Sequence, residues 1–252
     1  MTKNKEGEMS FWDHIDELRE TLIHSALAIV AFSVLGFIFK NALFDGFVLA
    51  PTRSDFCIYR LLGWDFSMKL INVDVSAQFF AHMKAAIGVG FVLAFPIIVY
   101  ELWKFIAPAL YEKEKKAVKS AFGLASGLFY LGVVVGYFVV LPVCLRFFLS
   151  YTVSDTVENS ITLASYMSLF TSMVLLIGVA FEFPTVILAL SRLGVVSRDT
   201  LRKGRSYACV AVMVFAALIT PSDPFSMFVL AIPLYGLYEI SILMCPRKND
   251  IA

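Results

Sequence analysis

The chain has 252 residues, of which 59% are hydrophobic and only 16% charged, and its mean hydropathy is +0.79; that is too little polar surface to coat a soluble globule. Its formal net charge of +1 lacks the basic excess with which nucleic-acid binders track phosphates. The composition is that of an integral membrane protein, in which the placement of the charges matters more than their sum.

The first 20 residues, MTKNKEGEMSFWDHIDELRE, carry six acids against Lys3, Lys5 and Arg19. A polar, acidic start predicts no cleavable signal peptide ahead of the first span. Ser10 and Asp13 fit a helix-capping pattern, and Phe11, Ile15, Leu18 and Leu22 recur at helical spacing. An amphipathic helix leading into the membrane is expected. Stretches apolar enough to cross lie at about 21–39, 85–103, 120–145, 163–190, 206–220 and 225–244. The expected fold class is therefore an all-α polytopic membrane protein of six transmembrane helices, forming one domain over residues 1–252.

Six spans put both termini on one side. Assigning that side as cytoplasmic places 15 of the 21 lysines and arginines there, with only Lys40, Arg53, Arg60, Lys69, Lys84 and Arg146 opposite. The positive-inside bias makes the termini cytoplasmic. The connection over 40–84 then faces outward, and its apolar pieces LFDGFVLAP and SAQFFAHMK predict a structured cap. Gly123 and Gly127 fall on one face of the third span and Gly132 and Gly136 on roughly the opposite one. Either face could admit a close neighbour. The fifth stretch has 15 residues, about 22 Å of helix, against a hydrocarbon core of roughly 30 Å. The sixth has 14 apolar residues before Glu239, interrupted by Pro233. Two short helices, with a locally thinned bilayer beside them, are expected.

Chemistry-bearing residues fall into three groups. The first is the acidic face of the amino-terminal helix, with Asp13, Asp16, Glu17 and Glu20. The second is the loop WKFIAPALYEKEKK and the residues just after it, where Glu112 and Glu114 stand among Lys104, Lys113, Lys115, Lys116 and Lys119, beside Phe105, Pro108, Leu110 and Tyr111. It can be read as a positive-inside loop with local ion pairs or as a surface for an apolar-and-basic ligand. The third is Glu182, near the middle of an apolar run and two residues before Pro184, where a carboxylate costs a few kcal/mol and points to function. Glu101 and Glu239 lie nearer span ends, where they can snorkel. No hydrolase elbow, zinc-ligand spacing or phosphate-cradling loop is present, so neither an enzyme, a metal site nor a cofactor is expected. The four cysteines, unpaired in sequence, read as packing residues. A secondary transporter or channel using Glu182 shares this composition and is the alternative.

Several stretches in order resemble one family. HIDELRETLI is similar to the amino-terminal motif of TatC, the multispanning core subunit of the twin-arginine protein translocase. FPIIVYELWKFIAPALYEKEKK resembles its first cytoplasmic loop, and LAP ending at Pro51, GVAFEFPTVI, LRKGRSY and TPSDPFSMFVLAIPLYGLYEI resemble later blocks. The resemblance implies a cup-shaped receptor that binds signal peptides bearing paired arginines and nucleates transport of folded proteins driven by the proton-motive force. A bacterial inner membrane is the expected location, with an organelle membrane as the alternative. It further implies single-span partners of the TatA/TatB type, self-association in a receptor complex and contact with membrane lipid. Carried over by position, Glu17, Arg19, Phe105, Leu110 and Glu114 belong to signal-peptide binding, Glu182 and Glu239 to partner contact or translocation, and Pro51 and Asp223 to the extracytoplasmic side. Two acids on separate segments suit two arginines, because each guanidinium presents a planar fork to a carboxylate. The chain departs from the pattern at Glu20 and Thr21, where a further arginine is usual, which leaves Arg19 alone at that border.

Overall fold

Long apolar runs free of charges close their own backbone hydrogen bonds as helices, the open-chain structure that a bilayer tolerates. The computed structural model describes residues 11–64, 66–107, 112–154, 156, 159–220 and 223–245. The capping pair expected at Ser10 and Asp13 lies outside the described side chains. Helix α1 is Phe11–Ile38 and α2 is Ala77–Ile106. Helix α3 covers 112–150, with a π turn at Gly136–Val140 between its two α-helical parts. Helix α4 covers 163–192, with a π turn at Ser172–Leu176 and a break at 181–182. Helix α5 is Arg205–Ile219 and α6 is Pro224–Met244. Five of the six meet the length and hydropathy of a membrane span, and α5 is the short one.

Neighbours pack as antiparallel pairs. On α1 and α2, His14 meets Phe105 and Phe37 meets His82, with Gly90 between. A Cβ on Gly90 would lie 2.7 Å from the Ser33 nitrogen, so the missing side chain sets how closely the two backbones approach. Phe95 of α2 stacks on Phe129 of α3 at 3.6 Å between centroids. Across α3 and α4, a Cβ on Gly132 or Gly136 would fall 2.7 Å from Phe181 or from the Met173 carbonyl oxygen. Gly123 and Gly127 have nothing within 4 Å of such a Cβ. Of the two glycine faces, this one has no close neighbour.

Helix α5 has 15 residues, about 22 Å, as its sequence indicates. Helix α6 differs from expectation: it runs unbroken through Pro233 for 21 residues, about 32 Å. Glu239, which ended the apolar count, lies inside the helix with its charge paired to Arg205 at 2.8 Å.

The connection between α1 and α2 forms the expected structured cap. A π turn at Phe44–Val48 and a 3-10 turn at Ala50–Thr52 leave carbonyls pointing away from regular partners, and three phenols supply donors. Tyr59 donates to the Pro51 carbonyl at 2.8 Å, Tyr137 of α3 to Phe47 at 2.8 Å, and Tyr166 of α4 to Val48. Burial pushes the Tyr59 phenol above the usual tyrosine range, so it stays a donor. Arg146 lies 3.9 Å over the Trp64 ring, and β1, Leu70–Ile71, pairs in parallel with β2, Ile161–Thr162.

The glycine geometry sets one expected outcome. Gly136→Ala forces a backbone carbonyl to move and lowers stability by about 1–3 kcal/mol. Gly127→Ala enters open space and stays within about 1 kcal/mol of the parent. Thermal unfolding of both purified variants in detergent measures the contrast, and equal melting temperatures would contradict it.

Candidate functional site

His14, Glu17, Thr21 and His24 recur at intervals of three and four, so they share one stripe of α1. Facing them on α2 are Glu101 and Phe105, one turn apart. The His14 and Phe105 rings stack at 4.3 Å with 16° between planes. One level deeper, His24 Nδ1 lies 3.6 Å from Glu101 Oε2, and the Glu101 side chain is only 14% exposed against 44% for the histidine. That pair carries charge attraction only when the imidazole is protonated.

Glu17 sits between these two contacts. Its Oε2 and the Oε2 of Glu101 are both buried and make no hydrogen bond. A buried carboxylate oxygen without a donor is costly, and a charged donor repays more of that cost than a neutral one. The interface is thus short of donors, on the side of the membrane that carries the basic loops.

Other residues singled out from sequence take different places. Arg19 is exposed and, two residues from Glu17, points about 200° around the helix from it. Glu114 falls in the first turn of α3, its side chain outside the described residues, as is Leu110. Glu182 marks the break in α4: it is the cap residue of Phe183–Arg192, with Pro184 just behind it and a buried Oε1 that makes no hydrogen bond. It lies ten residues, about 15 Å, from the basic end of α4, at a depth distinct from Glu17. Glu239 ties α6 to α5 through Arg205. Pro51 is buried in the cap, its carbonyl held by Tyr59. Asp223 caps α6, accepting from the Ser226 amide at 2.6 Å.

Sequence alone singles out neither His14 nor His24 and gives Glu101 no role beyond snorkelling. The signal that marks them is the polar stripe at helical spacing inside an otherwise apolar helix; its facing partner is 77 residues away and not readable from periodicity. No cluster of His, Cys, Asp or Glu able to hold a metal occurs among the described residues.

Apolar helices long enough to cross a bilayer, with carboxylates at one membrane border and one within an apolar run, define a multi-pass membrane protein. The family model for the Sec-independent protein translocase protein (TatC) matches residues 13–233, and the chain belongs to that family. It is 36% identical to the Sec-independent protein translocase protein TatC of Blattabacterium sp. subsp. Periplaneta americana, over 95% of this chain and 96% of that one. It is also 36% identical to that of Escherichia coli strain K12, over 91% and 85%. Two crystal structures of the twin-arginine translocase receptor TatC superpose with TM-scores of 0.76 and 0.79 at 34% and 33% identity. Both cover 92% of this chain, and 97% and 99% of their own. Those structures have six transmembrane helices, which places the short α5 among the spans.

The capping geometry sets a second outcome. Asp223→Ala lowers stability by about 1 kcal/mol, while Asp223→Asn, which keeps the accepting oxygen, loses less. Thermal unfolding of the two variants measures the order, and a reversed order would remove the cap assignment.

Proposed function

We propose that this chain is the receptor and core subunit of a twin-arginine translocase, binding signal peptides with paired arginines and nucleating proton-motive-force-driven transport of folded proteins. The single observation that supports this best is the pair of buried carboxylate oxygens, on Glu17 and Glu101, that lack donors at the α1–α2 interface. A guanidinium brings five N–H donors and a permanent charge in a planar fork, which matches that deficit. Glu17 takes one arginine, Glu101 and the Glu114 loop position take the other, and Phe105 with its stacked His14 gives the adjoining apolar surface. The described contacts of α5 and α6 leave Tyr207, Val210 and Leu218 outward, a lipid-facing surface that suits single-span subunits of the same system. The bacterial relatives favour an inner membrane.

Binding of a labelled twin-arginine peptide to the purified protein tests the docking assignment. Glu17→Gln and Glu101→Gln each remove a charged contact worth roughly 1.5–3 kcal/mol, so each weakens binding about tenfold or more. A twin-lysine peptide binds less well to the parent protein. Unchanged affinity in both variants would overturn the assignment.

Glu182 serves a later step in this reading, since it lies at membrane depth in a broken helix. Glu182→Ala leaves peptide affinity at the parental level and abolishes cargo transport into inverted membrane vesicles under a proton gradient. Parental transport would return Glu182 to a packing role.

A further inference from the structure

A groove of about 260 Å³ lies between α2, α3 and α4 next to the cap, with Phe47, Val133 and Leu175 among its lining residues. Its lining on α2 runs from Lys84 through Gly88 to Leu93. Among the described residues, Lys84 is its only charged lining residue, is exposed, and forms no ion pair. The second cavity, about 490 Å³ between α3, α4 and α5, is lined by hydroxyls such as Ser165, Ser168 and Thr220, with no charged side chain among its described lining residues.

Length decides what fits. Lys84 to Leu93 is nine residues, about 14 Å along α2, close to half of a roughly 30 Å hydrocarbon core. A polypeptide crossing the membrane would need both halves, and this groove ends after one. Lys84 stands 17 residues before Glu101, so the two charges bracket about 25 Å of apolar helix and fix Lys84 at the outer border. The site is therefore an ammonium at headgroup level above an apolar channel one leaflet deep. Phosphate beside lysine and acyl chain in the channel satisfy both parts.

We propose that the groove binds one anionic phospholipid of the leaflet opposite the basic side, its acyl chain lying along α2 and its phosphate at Lys84. The bound lipid lies along α2 in the groove that Gly88 and Leu175 both line, and so becomes part of the wall under the cap.

Nanodiscs holding the full chain in equal phosphatidylglycerol and phosphatidylcholine of identical acyl chains provide the test. Lipids that survive mild detergent extraction are counted by native mass spectrometry. Phosphatidylglycerol is retained about fivefold over phosphatidylcholine by the parent protein. Lys84→Gln loses that preference at an unchanged melting temperature, and Lys84→Arg keeps it. Gly88→Phe, which obstructs the channel, lowers retention of both lipids. A photo-crosslinker at Leu93 in the otherwise parental chain labels lipid. Equal retention of the two lipids by the parent, an unchanged preference in Lys84→Gln, or a crosslink to polypeptide instead of lipid would each overturn the proposal.

Discussion

Three phenols hold the irregular backbone of the cap in place, and the arrangement of the outer half of the molecule depends on them. Where the chain leaves α1, residues 44–52 abandon regular helix at the membrane border, and carbonyls freed there find little water to satisfy them. Tyr137 and Tyr166 reach that segment from α3 and α4, at sequence separations of 90 and 118 residues. The same bonds that satisfy the cap therefore fix α3 and α4 to each other and to the segment leaving α1. Stacking of Phe47 on Tyr137 at 4.3 Å and the Arg146–Trp64 contact extend one anchored patch across the outer ends of the helices.

The inner side is built on a different principle. Only 17% of the apolar window of α1 is buried, against 56% for α3 and for α4, so α1 is held chiefly along its one seam with α2. The carboxylates of Glu17 and Glu101 face that seam from its two sides, Glu17 on α1, the least enclosed of the five long spans. Under the proposed function, an anchored outer half and a lightly supported α1–α2 hairpin suit a receptor that takes its ligand at the border carrying the basic loops.

Hydropathy and the basic bias are enough to locate the helices, because both are sums over many residues. The break at Glu182 is legible from Pro184, and the close face of α3 is one of two that Gly132 and Gly127 offer equally. Periodicity says that a face is smooth, not that a neighbour occupies it; the contact at Met173 decides that. The cap tyrosines are invisible in sequence because an aromatic near a span end reads as a border residue, whatever carbonyl it meets. Glu101 is undervalued for a similar reason: its burial comes from a helix distant in the chain. Helix α6 reads as short when Glu239 is counted as unpaired, whereas Arg205 neutralises it from the neighbouring helix. In each case the missing information is a partner distant in sequence.

The π turns at Gly136–Val140 and Ser172–Leu176 lie side by side, the Met173 carbonyl pressed against Gly136. Each holds one residue more than a regular helical turn, and one residue rotates the remainder of its helix by about 100°. A one-residue deletion within either turn restores ordinary α-helix but swings the rest of that helix off its seam. These are the two places in the bilayer where chain length can change without breaking a helix. Gaps in alignments of related chains should therefore fall at these two turns rather than in the regular helix on either side of them.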